Sequence, residues 1–503
     1  HVTAAVDAAL RSQPRWNDAG AAHRAAVLDR TADLFDASLE ELVAMCVREA
    51  GKTVPDSIAE VREAVDFLRY YAARAREDFG SPIRLPGPTG ESNEISLHGR
   101  GVFACISPWN FPLAIFTGQV AAALAAGNAV VAKPAEQTPL VAAQAVRLLL
   151  QAVVPADVLH FLPGDGGIVG ARLVADPRVG GVAFTGSTET ARLIHRSLAA
   201  REGAIPVLIA ETGGQNAMIV DSSALPEQVV LDAAYSAFNS AGQRCSALRV
   251  LCVQEDIAPK VLRLLAGHMN ELVVGDPAFL STDVGPAIDA QARDLLERHA
   301  REIVRGARWH HRCVLGPEAQ RGTFVAPLAV QIDSLGVLER EVFGPILHVV
   351  SYRARDLESL VDAINATGYG LTFGIHSRID GTVQRVAARV SAGNVYVNRN
   401  IIGAIVGTQP FGGCGLSGTG PKAGGPRYLH RFAHERTLTI NTPAVGGNAR
   451  LLAREGGIGG RGWGIWDSRR CPLVRRLQNV ATTPWTLPSS ALSPIPNPLS
   501  PSQ

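Results

Sequence analysis

The stretch from Val102 to Ala132 reads VFACISPWNFPLAIFTGQVAAALAAGNAVVA and is the part of this sequence that decides the fold. Val102–Ile106 is a short apolar run, typical of a buried strand. Thr117–Ala126 has the small and apolar residues of a packed helix, and Gly127 follows as a residue that commonly ends helices. Ala129–Ala132 is a second apolar run. A strand, a helix and another strand of this kind predict two parallel strands joined by a crossover.

The same alternation continues on both sides of this stretch. Residues 20–78 carry apolar side chains at helical spacing, and 82–92 is a Pro- and Gly-rich connector. We therefore predict an α/β protein whose parallel sheets are covered by helices on both faces. The further elements predicted are helices 140–153, 188–198 and 259–272 and strands 182–184, 207–210, 217–220, 250–253 and 436–441.

A second informative stretch, FNSAGQRCS at 238–246, places Cys245 in a polar loop that contains a glycine. Glu211 lies 34 residues earlier in the segment ETGG, and Asn110 lies in SPWNFP. A thiol can attack a carbonyl, and an amide N–H together with the backbone N–H of Cys245 can hold the oxyanion. A carboxylate can then activate water on the thioester. The three side chains together predict aldehyde oxidation.

Each of these residues also has an ordinary structural interpretation when it is taken alone. A free cysteine is most often a buried and inert side chain. An asparagine between prolines is a common turn residue, and Glu211 could cap the turn at Gly213-Gly214. The chemical interpretation therefore depends on finding all three residues in one site.

The composition excludes several other classes of protein. The chain has 503 residues, of which 47% are hydrophobic and 19% charged, and this predicts two or three core-bearing units. A net charge of +2 provides no general basic field for nucleic acid. No apolar run is long enough to span a bilayer, and no secretory signal precedes the first helix.

The seven cysteines are scattered and none forms a C-x-x-C pair. This pattern favours a reducing compartment, so we expect a cytoplasmic location. His310-His311-Arg312-Cys313 has no second ligand pair at zinc spacing, so no metal site is predicted.

Five motifs, in one order over roughly residues 10–449, resemble the aldehyde dehydrogenase superfamily. They are Ser107–Pro112, KPAE at 133–136, FTGS at 184–187, ETGG at 211–214 with GQRCS at 242–246, and EVFGP at 341–345. The resemblance implies a Rossmann-like NAD-binding domain, a catalytic domain, a small β element for oligomerisation and a glycine loop that anchors the substrate. These units are expected at 1–87 with 104–212, at 213–407, at 88–103 with 432–445, and at 408–431. The segment 454–503 has few periodic apolar positions, and its composition predicts disorder.

No G-x-G-x-x-G follows the first strand, so the usual fingerprint of a dinucleotide site is absent. The expected cofactor contacts are therefore those that the resemblance implies. Backbone N–H groups at Gly186-Ser187 would bind phosphate at a helix N-terminus. Lys133 and Glu136 would meet the adenosine ribose, where a carboxylate repels a 2′-phosphate and so favours NAD over NADP. Glu341 would hold the nicotinamide ribose, with Phe343 near the ring. The other implied contacts are Ile106, Ser107, Pro108, Trp109, Gly166 and Phe184.

Several segments, such as HGRGV at 98–102 and NVYVNRN at 394–400, resemble one branch of the superfamily. This branch is the L-glutamate γ-semialdehyde (1-pyrroline-5-carboxylate) dehydrogenase part of bifunctional proline-utilisation proteins. It implies oxidation of L-glutamate 5-semialdehyde to L-glutamate. Backbone N–H groups near Gly415 would form a nest for the substrate carboxylate. The full set of expected substrate contacts is Phe111, Arg244, Ser246, Phe411, Gly415 and Ser417.

The branch also implies partners outside this chain. The sequence starts at His1, so a first strand of the cofactor domain and a FAD-dependent proline dehydrogenase half are expected before it, and a homo-oligomer is expected. Cys414 departs from the branch pattern and would place a second thiol near the substrate. Two alternatives stay open: a dehydrogenase for another short semialdehyde, such as succinate semialdehyde, or an inactive assembly module.

Overall fold

The computed structural model describes residues 1–88, 90–442 and 444. The tail predicted for 454–503 lies outside these residues. The chain divides into two compact units, His1–Pro86 with Asn93–Thr439, and Gly87–Ser92 with Ile440–Gln503. In the second unit, the Thr442 N–H donates to the Gly90 carbonyl at 2.9 Å. The first unit contains all the site residues discussed below.

The described residues form fourteen α-helices and seventeen strands. The helices are α1 Val2–Asp18, α2 Ala21–Ala37, α3 Leu39–Ala50, α4 Val54–Phe79, α5 Ala114–Ala125, α6 Pro139–Gln151, α7 Ala171–Ala175, α8 Thr188–Ala199, α9 Pro226–Phe238, α10 Ala258–Asn270, α11 Ala290–Ile303, α12 Leu357–Ala366, α13 Asp380–Arg389 and α14 Tyr428–Arg431. The strands are β1 Ile83–Leu85, β2 Glu91–Gly99, β3 Val102–Ile106, β4 Ala129–Lys133, β5 Leu159–Phe161, β6 Val179–Thr185, β7 Val207–Glu211, β8 Ala217–Val220, β9 Val250–Gln254, β10 His310–Arg312, β11 Leu328–Gln331, β12 Ile346–Tyr352, β13 Tyr369–Gly370, β14 Thr372–His376, β15 Asn394–Val397, β16 Cys414–Gly415 and β17 Ala433–Asn441.

The first sheet contains the stretch that opened the sequence analysis. Its five parallel strands lie in the order β5-β4-β3-β6-β7. Helix α5 begins at Ala114, three residues before the predicted start. The Glu60 carboxylate accepts the N–H groups of Leu113 and Ala114, at 2.8 and 3.2 Å. A helix start that is capped by a residue far away in the sequence leaves no local signal.

The second sheet has seven strands in the order β10-β11-β12-β9-β8-β14-β15. All neighbouring pairs are parallel except β10–β11. The change from the first sheet to the second falls between Glu211 and Ala217. His310–Arg312 is the antiparallel edge strand β10, and the described part of the chain contains no cluster of three potential metal ligands.

A small third sheet has the order β1-β2-β17. The connector predicted at 82–92 is wrong in part, because Ile83–Leu85 is a strand that pairs antiparallel with β2. The third sheet therefore begins at Ile83, before the β element expected at 88–103, and β17 begins at Ala433. Ile83 and Leu438 keep 64% and 48% of their surface exposed on these strands. Among the helices that the structure describes, none combines the length and apolarity needed to cross a membrane.

Candidate active site

Four parallel strands of the first sheet end at one edge, and candidate residues follow each of them. The strand ends are Ile106, Lys133, Thr185 and Glu211. In an open parallel sheet, the crevice outside the carboxyl ends of the strands is the usual place for a ligand. The fold therefore gathers motifs that are widely separated in the sequence.

The residues expected to bind the dinucleotide fit that role. Ser187 caps α8, and its Oγ accepts the Thr190 N–H at 3.1 Å. The start of this helix provides N–H groups for a phosphate. The Ser107 hydroxyl is buried and has no hydrogen-bond partner, as expected of a group that awaits a ligand. Lys133 Nζ lies 3.5 Å from Glu136 Oε2, and the Glu136 side chain is exposed enough to meet a ribose.

The expected nicotinamide side is built around Glu341. Its Oε1 accepts from Arg249 Nη2 at 3.0 Å. A Cβ on Gly213 would lie 1.6 Å from Glu341 Oε2, so a side chain at this position would displace the carboxylate. The Phe343 ring meets the Trp109 ring edge to face, with centroids 5.6 Å apart. Phe343, expected near the nicotinamide ring, therefore lies beside Trp109, another expected cofactor contact.

Arg249 is a residue that the sequence analysis missed. Its side chain is fully buried, and it also donates to the carbonyls of Gly242 at 2.7 Å and Arg244 at 3.0 Å. One guanidinium thus joins the Glu341 carboxylate, which is expected to hold the ribose, to the loop that carries Cys245. A lone arginine before the apolar run of β9 was the only available signal, and its partners could not be read from it.

The loop that carries Cys245 is strained and tightly packed. Ser240 and Ala241 both have φ +53°, and Gly242 has φ +64°. A Cβ on Gly242 would lie 2.2 Å from the Gly344 carbonyl oxygen. Asn110 Nδ2 donates to the Gln243 carbonyl at 3.0 Å. The predicted oxyanion donor therefore contacts the loop of the predicted nucleophile.

Cys245 is half-buried, and its thiol is protonated at neutral pH. Burial, followed by the charges of Glu341 and Glu211, raises the pKa of the thiol to about 12, and Arg244 opposes these effects. Only a small thiolate fraction is present at pH 7, and this fraction rises about tenfold per pH unit.

The Glu211 carboxyl lies against the glycine loop at 412–418. Its Oε2 accepts the Gly413 N–H at 3.3 Å, and its Oε1 is buried without a partner. A Cβ on Gly412 or Gly418 would come within 2.9 or 3.0 Å of its oxygens. Burial raises the pKa of Glu211 well above its usual value, while the Gly413 N–H and Lys422 act to lower it.

This arrangement corrects the prediction for Ser417 and its loop. Ser417 is fully buried, and its Oγ accepts the Gly370 N–H at 3.0 Å. The N–H groups of Leu416 and Ser417 donate to carbonyls within the fold, and Gly415 pairs with Tyr369. The N–H groups of Leu416 and Ser417 are therefore used within the fold, whereas the expected contact at Gly415 stays a prediction. The glycine loop makes room for Glu211 instead.

Phe111, another expected substrate contact, lies beside two cationic side chains. Lys52 Nζ lies 3.9 Å and Arg244 Cζ 5.1 Å from the centroid of this ring. Arg244 Nη2 pairs with Asp56 at 3.1 Å in a buried ion pair, so Arg244 provides no free cation for a substrate. Ser246, next to the nucleophile, is buried. Phe411 is half-buried, and its N–H is bonded to Ala423.

Glu63 is a second residue that the sequence analysis missed. It lies on α4 and is half-buried. Burial and then Glu60 raise its pKa to about 7, while Arg244 and Lys52 oppose this rise. The Glu63 charge also raises the pKa of Cys245, so its carboxyl lies within electrostatic range of the thiol. On a long helix with many surface charges, nothing in the sequence distinguishes Glu63 from a solvated glutamate.

A dinucleotide crevice next to a cysteine, an amide and a carboxylate defines an α/β oxidoreductase with a thiol nucleophile. The model of the aldehyde dehydrogenase family matches residues 1–438. The chain belongs to this family.

Three relatives show which members it resembles. The bifunctional protein PutA of Klebsiella aerogenes is 54% identical, over 86% of this chain and 33% of that protein. The chain thus spans about a third of this relative. The 1-pyrroline-5-carboxylate dehydrogenase of Geobacillus thermodenitrificans is 36% identical, over 85% of this chain and 82% of that enzyme. A Thermus 1-pyrroline-5-carboxylate dehydrogenase structure with bound NAD is 33% identical at a TM-score of 0.83, covering 88% of this chain and 85% of that one.

Proposed function

We propose that the chain oxidises L-glutamate 5-semialdehyde, the open form of 1-pyrroline-5-carboxylate, to L-glutamate with NAD, the second step of proline catabolism. The proposal is supported by two links to the loop of Cys245. Asn110 Nδ2 donates to the Gln243 carbonyl in that loop, and the Glu211 charge raises the pKa of the Cys245 thiol. The names of the relatives support the choice of substrate. The direct test is NADH formation with this aldehyde and NAD, with succinate semialdehyde and propanal as comparison substrates.

The first half of the reaction acylates Cys245. The thiol loses its proton to water, and Sγ forms a bond to the aldehyde carbon. The carbonyl oxygen becomes an oxyanion, which Asn110 Nδ2 and the Cys245 N–H would stabilise. A bound NAD supplies the acceptor for the hydride that leaves this carbon. The product on the protein is a thioester.

The second half releases the acid. Glu211 takes a proton from water, whose oxygen attacks the thioester carbon. The C–S bond breaks, the thiolate is restored and L-glutamate leaves. Glu211 accepts a proton only in its charged form, and burial, which raises the pKa of Glu211 well above its usual value, disfavours that form. The partner-free Oε1 of Glu211 is the atom with room to accept a proton from water.

The α-ammonium group of the substrate distinguishes it from succinate semialdehyde. We propose that the Glu63 carboxylate receives this ammonium and that the Ser246 hydroxyl contacts the α-carboxylate. Glu63 is the carboxyl near Cys245 that neither NAD nor the hydrolytic step uses. Holding both ends of the substrate would turn binding energy into orientation of the carbonyl.

Glu63→Gln tests this contact. We expect the KM for glutamate semialdehyde to rise roughly ten- to a hundredfold, because one charge-assisted hydrogen bond is lost. The KM for succinate semialdehyde and propanal should change little, because neither has an amino group. Asp66→Asn on the exposed side of the same helix is the matched control. An equal loss with all three aldehydes would show that Glu63 supports the fold and not the substrate.

Glu136→Gln tests the cofactor assignment. The unmutated chain should use NAD far better than NADP, because the Glu136 carboxylate would repel the 2′-phosphate. The variant should narrow this preference by roughly tenfold to a hundredfold in kcat/KM. Glu189→Gln is a suitable control, because it removes a carboxylate from the first turn of α8. Equal use of both cofactors by the unmutated chain would contradict the role of Glu136.

Further proposals concern the assembly. The exposed Ile83 and Leu438 on the third sheet support a homo-oligomer joined through its strands. The domain roles given above, a cytoplasmic location and a proline dehydrogenase half in the full-length protein stay predictions. Size-exclusion chromatography with light scattering would test whether the chain forms a homo-oligomer.

A further inference from the structure

Both loops of the proposed oxyanion site are attached to the start of one helix, α4. Lys52 and Glu60 form an ion pair at 2.5 Å, with their side chains 4% and 0% exposed. Lys52 Nζ also donates to the Asn110 carbonyl at 3.1 Å. Since Glu60 caps α5, this pair holds the Asn110 side of the site.

Asp56, which lies between Lys52 and Glu60 in the sequence and in the first turn of α4, holds the loop of Cys245. Its Oδ1 accepts from Asn239 Nδ2 at 2.9 Å and from Arg244 Nη2 at 3.1 Å. Its Oδ2 accepts from Ser240 Oγ at 2.7 Å. Asp56 is 4% exposed. Burial would raise the pKa of Asp56, but Arg244, Lys52 and the two neutral donors together lower it.

The turn between these contacts is strained. Ser240 and Ala241 lie in the left-handed region at φ +53°, which is unfavourable for residues other than glycine. A conformation of this kind persists only when its surroundings impose it. Asp56 bonds to residues on both sides of Ala241, so it is placed to impose this one.

We propose that Asp56 is a positioning residue that keeps the strained turn 239–244 in the geometry in which Cys245 faces Asn110. It acts through Ser240 and Arg244 and touches no reacting atom. The inference rests on the proposed thiol chemistry. It adds a role for a charge that the mechanism does not otherwise use.

The test is Asp56→Asn, which keeps the size of the side chain but removes its charge and turns an N–H₂ group toward donors. We expect acylation of Cys245 by the aldehyde, measured as the NADH burst, to slow on the order of 100-fold, the effect of a misplacement of about 1 Å. Alkylation of Cys245 by iodoacetamide without cofactor, measured by peptide mass, should instead become roughly tenfold faster. The freed turn exposes the thiol, and Arg244, no longer paired with a carboxylate, lowers the pKa of the thiol further.

Asp221→Asn is the matched control, because Asp221 is 5% exposed and also accepts from a hydroxyl, Ser223 Oγ at 2.6 Å. It should lower the Tm without changing either rate. If Asp56→Asn does not fold, Ser240→Ala, which removes one contact, should move both rates in the same directions by a smaller amount. Rates that stay unchanged, or that fall together, overturn the role of Asp56. Absence of any NADH formation by the unmutated chain would count against the proposed function, while the alkylation rates would still test Asp56.

Discussion

Cys245→Ala is expected to abolish aldehyde oxidation while NAD still binds. The side chain provides the only covalent bond between protein and substrate in the proposed reaction, so turnover should fall on the order of 10⁵-fold or more. Cys245→Ser should be almost as inactive, because a hydroxyl loses its proton far less readily than a thiol. NAD affinity, measured by calorimetric titration, should stay within about twofold, because the proposed phosphate and ribose contacts lie at Gly186, Glu136 and Glu341.

Cys414 provides a control within the same chain. It is also a free thiol, and it is exposed. Cys414→Ala should retain normal turnover. Turnover by either Cys245 variant, or a large loss in Cys414→Ala, would move the nucleophile away from position 245.

Glu211→Gln is expected to stop the reaction after one hydride transfer. Acylation does not require Glu211 to activate water as a nucleophile, so the variant should give an NADH burst equal to its active sites. Steady-state turnover should then fall by about 10²–10⁴-fold, the usual contribution of a general base. In the unmutated chain, thioester hydrolysis should become faster as the pH rises, because burial holds the pKa of Glu211 above its usual value. The variant should lose this pH dependence.

Hydroxylamine separates the two steps further. It is a strong nucleophile that opens a thioester without a general base, so it should restore turnover in Glu211→Gln and give the hydroxamate. It should not rescue Asp56→Asn, in which acylation is slow. A Glu211→Gln protein with no burst would mean that Glu211 acts before the thioester, for example by activating Cys245.

Much of the fold could be predicted because its signals are local. Apolar runs such as Val102–Ile106 indicate buried parallel strands, and the motifs that follow them reach one edge of the sheet through topology alone. Asn110 follows one of these strands and Glu211 ends another, whereas Cys245 lies in a loop before β9 and was predicted from its motif and its chemistry.

The failures come from interactions that have no local signal. The three-residue strand Ile83–Leu85 lies in a Pro-rich segment with no alternation to detect. Ser417 was misplaced because a glycine loop has no periodicity that tells which of its groups face inward. Asp56 and Arg244 pair across 188 residues of sequence, and only the folded chain shows that their charges meet.

The contact between Gly213 and Glu341 limits how this chain can vary. A methyl group on residue 213 would occupy the place of the Glu341 carboxylate, which lies 1.6 Å from that position. Glu341 would then have to leave Arg249, the side chain that also holds the nucleophile loop. Two positions far apart in the gene are thus coupled, because the size of residue 213 limits where the Glu341 carboxylate can lie. A missense variant that adds only one carbon at codon 213 would displace this side chain, although its chemistry looks conservative.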